Sequence, residues 1–492
     1  MTVEVNGVAY HSPYNPLREV REFYSGLHLE DADVLLHFGW GLGYCGKILQ
    51  ERAKRGARIV VFEPDEDLFN LSRSQPDNRI VLEDPRFHFV IGTKVRQFFD
   101  DWSLGECQET DQFLWVEWPA ALREHGLVAE SLKRQFNSHL RDRAANLLTH
   151  FQRGETYFQN AVGNFEYQRD ADAGGLFGRF PNIPLVIVSA GPSLDRNAGD
   201  LRGYEDRCVI LAVDTALRPL LSAGIEPHAV IIGDASELNA RHVVGAMPDN
   251  AYLIAEQAIH QSALQSATRR FLFGLGLFPD PLFSKFGFGK SRIDAWGSVA
   301  TTALDLACRM GANPIIFVGQ DFGYSGNREY ASNTIFHGAS FDASVAGKAR
   351  SRDIWGEQIY STENLIAYRD YFVRRAKQAP DTRLINATEG GILTQGVEIL
   401  SLKDALNQAC GQSMDATAML RACHRPSKTS DDALQHLLQV LKYRRTDCEC
   451  LNGFLDLTAK EHVLKKNGLE IEKTIVWGAQ IVSDFVNGAH TA

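Results

Sequence analysis

A chain of 492 residues exceeds what one hydrophobic core organises and divides into several domains. Its 51 Lys and Arg against 61 Asp and Glu give a net charge of −10, which argues against gripping nucleic acid as the main task. With 44% hydrophobic and 23% charged residues the chain is not globally disordered, and no run reaches the roughly 18 apolar residues of a membrane span.

The opening "MTVEVNGVAYHSPYNPLREV" lacks the basic start and apolar block of a signal peptide. Cys45, Cys107, Cys208 and Cys308 lie in or beside apolar segments, as reduced, packed thiols do, so a cytoplasmic protein is expected. "CHR" (423–425) and "CEC" (448–450) lack C-x2-C spacing, and no metal site is expected from them.

Residues 33–38, "DVLLHF", read as a buried strand running into the glycine cluster "GWGLGYCGK" (39–47). "KILQERAKRG" then reads as a helix stopped by Gly56, and "ARIVVFEPD" (57–65) as the next strand. Strand, glycine turn, helix, strand is a βαβ unit, continued by "RFHFVIG" (86–92) and "QFLWVEW" (112–118). The long polar stretch 121–170 is helix-compatible and reads as a connector.

A second alternation starts at Pro184, with strands expected at 185–190, 208–213, 228–234, 251–256, 271–276, 314–321 and 383–387. Between them "GSVATTALDLACRMG" (297–311) is the clearest helix, with Val299, Ala303, Leu306, Ala307 and Met310 on one face. Ser298 caps its start and Gly311 its end. From about 400 the pattern turns helical in "SLKDALNQAC", "DDALQHLLQVLKYRR" and "LEIEKTIVWGAQIVSDFV". The expectation is an α/β protein of two Rossmann-like units with mainly parallel sheets and a C-terminal helical region. Its domains are 1–120, a helical connector 121–180, a central domain 181–400 and the helical region 401–492.

Parallel sheets bind ligands outside the carboxyl ends of their strands, so the residues following each strand carry the functional information. Gly39, Gly41 and Gly43, with Glu63 ending the next strand, match a methyltransferase turn, in which an acid holds ribose hydroxyls. They equally match a tight turn that binds no cofactor. Gly41 to Lys47 approaches a Walker A loop, but Ile48 replaces the metal-binding hydroxyl, which rules that reading out.

In "VIVSAGPSLDRN" (186–197), Gly191 permits a turn, Pro192 fixes it, and Ser193 supplies a hydroxyl. The N–H groups of Ser193 and Leu194 are expected to open toward a phosphate. Asp214, Asp234 and Asp321 each follow a strand, and three such acids beside one turn point to a shared cleft. "GQDFGYSGNREY" (319–330) places Tyr324 and Tyr330 on a glycine-containing loop, where phenols bind and protonate a leaving phosphate. His337 is a candidate base, and the polar turn bearing Asn386, Thr388, Glu389 and Gly390 reads as backbone approaching a ligand.

The ordered set "SAGPSLD", "AVDTAL", "GSVATTALDLACRMGANPIIFVGQDF" and "INATEGGI" resembles the motility-associated-factor glycosyltransferases over most of 1–400. These bacterial enzymes add nonulosonic sugars to flagellin, and their central domain is related to bacterial sialyltransferases. The resemblance implies a CMP-activated sugar as donor, flagellin as acceptor, no separate cofactor and no metal. It implies that Gly191, Pro192, Ser193 and Asp214 face the nucleotide and that Tyr324 and Tyr330 grip its phosphate. Tyr330-Ala331 stands where relatives often carry Thr-His, so the resemblance assigns no catalytic His here and His337 is the candidate. An archaeal 6-hydroxymethyl-dihydropterin diphosphokinase shares the Gly-Pro-Ser turn, but its second acid cluster is reduced here to Asp234 in "GDASELN". That enzyme, a methyltransferase and a non-catalytic flagellin-binding protein are the alternatives.

Overall fold

Aliphatic and β-branched runs form strands buried on both faces, and they assemble into two parallel sheets. The computed structural model describes residues 2–5, 7–98, 111–275, 283–284, 288–325, 328–336 and 348–426. Two compact units meet in sequence between Gln152 and Arg153, inside the helix Pro119–Gly163, which is interrupted by non-helical backbone at His125.

In the first unit a short antiparallel pair, β1 (Glu4–Val5) and β2 (Val8–Ala9), precedes the main sheet. That sheet comprises β3 (Val34–Phe38), β4 (Arg58–Glu63), β5 (Phe87–Ile91) and β6 (Phe113–Glu117), ordered β5-β4-β3-β6 and parallel throughout. Every residue of β3 is buried, and Phe38, Trp40 and Phe62 anchor the core.

Among the described residues the main sheet of the second unit has nine strands, all parallel. They are β7 (Ala171–Asp172), β8 (Leu185–Val188), β9 (Val209–Val213), β10 (Ala229–Ile232), β11 (Tyr252–Glu256), β12 (Arg270–Phe273), β13 (Ile315–Val318), β16 (Leu384–Asn386) and β17 (Glu398–Ile399). A separate antiparallel ribbon, β14 (Lys348–Arg352) and β15 (Gln358–Thr362), lies between them in sequence. The order across the sheet is β17-β16-β13-β8-β9-β10-β11-β12-β7. The chain thus builds outward from β8 to β12, returns to the other side of β8 as β13, and continues to β17. β8, β9, β10 and β13 are buried along their whole length, each Leu, Ile or Val contributing about 1.5–3 kcal/mol.

The helix Val299–Met310 has Ser298 at its N-cap, accepting from the Ala300 N–H, and ends at Gly311 in the left-handed conformation (φ 81°). The expected strands all form, though 271–276 is strand only to Phe273. The two-residue β7 and β17 and the β14–β15 ribbon are additions to the expected set. Leu402–Ala409 is helical as expected, while the helices expected at 431–445 and 469–486 lie outside the described residues. Among the described residues no helix is long and apolar enough to cross a membrane.

Candidate active site

The direction of winding reverses between β8 and β13, which opens a crevice between their carboxyl ends. Gly191 and Ser193 follow β8, and Asp321 follows β13. The Ser193 hydroxyl donates to Asp321 Oδ2 at 2.5 Å, and the Ser193 N–H reaches both carboxylate oxygens at 3.3 and 3.4 Å. Ser325 donates to Oδ1 at 3.0 Å. A Cβ on Gly191 would lie 2.1 Å from Asp321 Oδ2, so this close approach requires glycine.

The expectation of open N–H groups at this turn is corrected by these contacts. The Gly191 N–H donates to the Gly319 carbonyl, that of Leu194 to Gly191, and those of Asp195 and Arg196 to Pro192 and Ser193. The following helix, Leu194–Asn197, is a single turn. The anion seated in the Gly-Pro-Ser turn is therefore the protein's own Asp321. Burial pushes the Asp321 carboxyl up, while its serine partners and Arg196 oppose that shift.

Asp214 and Asp234 follow the neighbouring β9 and β10. Asp214 is buried and accepts from the Thr215 N–H at 2.8 Å, and Asp234 accepts from the Ser236 N–H at 2.7 Å. Burial, with a smaller contribution from Asp234, pushes Asp214 up to about 7. The loop after Asp321 carries the two tyrosines. Burial, then the charge of Glu329, raises both phenols; Asp214 and Tyr324 add to the rise at Tyr330. Both remain protonated donors at neutral pH.

This loop is fastened at several points. The Ala331 N–H donates to the Ala190 carbonyl beyond β8, and Asp195 accepts from the Ser332 N–H and hydroxyl and from Arg328. The Tyr324 N–H donates to the Tyr360 carbonyl of β15 at 2.9 Å. The sequence-predicted acids and tyrosines thus gather at the ends of β8, β9, β10 and β13. His337 lies outside the described residues.

The turn after β16 is wired into the scaffold. Asn386 accepts from the Thr388 N–H and donates to the Leu393 carbonyl, and Thr388 accepts from the Gln320 N–H. Glu389 accepts from the Leu402 N–H at 2.9 Å and has positive φ (55°). Asn386 is fully buried and fixes the turn, while Gly390 faces Arg196, Ser193 and Asp321 and the Glu389 carbonyl accepts from Arg196.

Sequence reasoning missed three residues here. Arg196, one helical turn after Ser193, donates to the Glu389 carbonyl and lies over the exposed Trp355 ring at 5.6 Å. Trp355 sits in an Asp-Ile-Trp-Gly turn, whose Asp and Gly are turn residues but whose flanking strands carry no apolar alternation to mark a hairpin. His242 is buried and packs edge-on against Phe336 at 5.2 Å, and among the described residues neither ring nitrogen has a hydrogen-bond partner. Burial lowers it to about 4. Phe336 in turn lies 5.1 Å from the Tyr330 ring.

The glycine turn of the first unit is closed in the same manner as Gly-Pro-Ser. Glu63 Oε2 accepts from the Trp40 and Gly41 N–H groups at 2.8 and 2.9 Å, and Oε1 accepts from Asp65. Glu63 is fully buried and burial pushes it up to about 7. His11 accepts from the Leu42 N–H, and Asn78 fills the space beside Gly43. The acid that the methyltransferase reading assigns to ribose hydroxyls is spent on the turn itself, which corrects that reading.

The structure of a MAf glycosyltransferase from Magnetospirillum magneticum AMB-1 superposes on 97% of this chain and 80% of that chain, with a TM-score of 0.58 at 17% identity. The chain has the fold of a Maf glycosyltransferase. Residues 159–327, which hold β7 to β13 and the Gly-Pro-Ser turn, match the family model described as 6-hydroxymethylpterin diphosphokinase MptE-like. A curated, uncharacterized protein of Treponema pallidum (strain Nichols) is 28% identical over 188 residues, 37% of this chain. The match spans 33% of that relative's length.

Proposed function

We propose that the chain is a metal-independent, inverting glycosyltransferase that moves a nonulosonic acid from a CMP-sugar to a Ser or Thr hydroxyl of flagellin in the cytoplasm. The observation that carries this reading is the gathering of Asp214, Tyr324, Tyr330 and Arg196 around the crevice between β8 and β13. The Maf-like fold and the ordered sequence blocks support it.

In this reaction the bond from the anomeric carbon to the phosphate oxygen breaks, and the phosphate takes the electron pair. The Tyr324 and Tyr330 phenols donate to that phosphate as its charge grows, and Arg196 offsets the charge. Ser193 does not meet the phosphate directly. Through Asp321 it locks the ends of β8 and β13 in the spacing that the crevice needs. Asp214 and Asp234 present acceptor oxygens suited to hydroxyl groups of the donor. The acceptor hydroxyl attacks the anomeric carbon and gives its proton to a base, for which His337 is the candidate.

Incubation with flagellin and CMP-pseudaminic or CMP-legionaminic acid, read by intact mass, tests the reading. A mass gain of one nonulosonic acid supports it; no gain with either donor overturns it. The MptE-like match over 159–327 favours a second reading, diphosphate transfer from ATP to a hydroxymethyl-pterin. AMP release dependent on that pterin supports the second reading.

A further inference from the structure

The β14–β15 ribbon ends in a turn built to hold one side chain out. Asp353 Oδ1 accepts from the Trp355 and Glu357 N–H groups, both at 2.9 Å, and the Asp353 carbonyl accepts from Gly356 at 3.0 Å. Arg352 donates to the Gly356 carbonyl at 2.7 Å. The Ile354 N–H donates to the Gly391 carbonyl at 3.0 Å, which pins the tip to the turn after β16. On this rigid tip Trp355 is 59% exposed.

One feature beneath the ring gives this exposure a direction. The Arg196 guanidinium lies under Trp355, and it also flanks Gly390. A Cβ on Gly390 would stand 3.1 Å from Arg196 Nη2, 3.5 Å from the Ser193 Cβ and 3.6 Å from Asp321 Oδ1. Gly390 does not have positive φ, so its missing side chain serves space and not backbone conformation. Arg196 thus lies between one face of the Trp355 ring and the bare backbone of Gly390, which borders Ser193 and Asp321, and the ring's other face is turned away from Arg196.

A flat π-surface beside a cation, above bare backbone, is complementary to a nucleotide. We propose that Trp355 is the stacking platform for the base of the bound nucleotide, with Arg196 taking the phosphate over Gly390. Base–aromatic stacking is worth about 1–3 kcal/mol per base and needs a presented ring face. A fixed ring offers that face with little ordering left to do on binding. This assignment rests on the glycosyltransferase reading for the choice of CMP as nucleotide, and it goes beyond that reading in naming the residues that hold the base.

Calorimetric titration of the full chain with CMP and with cytidine tests the platform. Trp355→Ala is expected to weaken both ligands by about tenfold or more, the size of one stack, while Trp355→Phe stays close to the parent. Arg196→Gln is expected to weaken CMP and leave cytidine unchanged. Because Trp355 and Arg196 are both exposed, a Tm close to the parent's is expected in all three variants, which keeps folding apart from binding. Unchanged CMP affinity in Trp355→Ala overturns the platform and leaves the glycosyltransferase reading standing. CMP binding that depends on Trp355, in a chain that transfers no sugar, supports the platform and overturns that reading. Absence of CMP binding by the parent overturns both.

Discussion

The Ser193 hydroxyl donates to Asp321 across 2.5 Å and so joins two strand ends 128 residues apart in sequence. The first unit repeats the device with Glu63, whose carboxylate accepts the N–H groups of Trp40 and Gly41. In both units a glycine turn that invites an anion is filled by an internal carboxylate. The first turn is thereby closed, whereas the second has Arg196 beside its Asp321, and the neighbouring loop brings Tyr330 near Asp214 and Tyr324.

Removing the lock separates its structural and chemical parts. Ser193→Ala deletes one hydrogen bond to a buried charged acceptor, and a loss of about 1.5–3 kcal/mol is expected in urea unfolding. Asp321→Ala leaves Ser193 and Ser325 without their acceptor and is expected to cost more than Ser193→Ala.

Gly391→Ala tests the closeness of the two turns. Gly391 has φ 73°, and a Cβ there would stand 2.2 Å from the Asp321 carbonyl oxygen, a backbone atom that cannot swing aside. A loss on the order of 4 kcal/mol, among the largest for single substitutions, is expected by denaturant or thermal unfolding. Gly56→Ala is a useful contrast, because its positive φ strains a side chain that would meet no neighbour within 4 Å.

Asp214 gives the protein a pH dependence. Its folded value lies near 7 against 3.8 for the free group, so the neutral form is favoured on folding. The resulting stability is fully present below about pH 4 and is lost as pH rises through about 7, with a slope approaching 1.4 kcal/mol per pH unit. Glu63 acts in the same direction. Unfolding midpoints measured from pH 4 to pH 8 are expected to fall, and Asp214→Asn is expected to flatten part of that fall.

His242→Leu is expected to hold or raise the Tm. The imidazole is buried with both nitrogens unpartnered among the described residues, and an apolar side chain of similar size removes that cost. A fall of more than about 1 kcal/mol contradicts this account of the residue.

Much of the sheet was legible because β8, β9, β10 and β13 are continuous apolar runs, and the Ser298 and Gly311 caps act through local chemistry. The ribbon was not legible: "KARSR" of β14 has no apolar alternation and is held by its partner β15. The edge strands β7 and β17 are two residues each, too short to leave a pattern. Of the site, the acids at strand ends could be read one by one. Which acid meets Ser193 depends on β13 returning beside β8, a long-range pairing that local pattern does not encode. Arg196 and Trp355 were hidden for the same reason.

Tyr330→Phe removes one phenol donor and leaves the ring packing against Phe336. Release of CMP from a CMP-nonulosonate is expected to slow by about 100-fold or more, as on loss of one donor to a developing anion. Phe at 324 is expected to act in the same direction, and an unchanged rate in both variants removes the phenols from the mechanism.

The central claim is that the crevice between β8 and β13 holds the donor nucleotide, and a structure of the chain soaked with CMP tests it most directly. The account predicts the CMP phosphate beside Arg196 and the Tyr324 and Tyr330 hydroxyls, with the Ser193–Asp321 bond intact. CMP bound instead at the Gly39–Gly43 turn, or anywhere remote from the ends of β8 and β13, contradicts it.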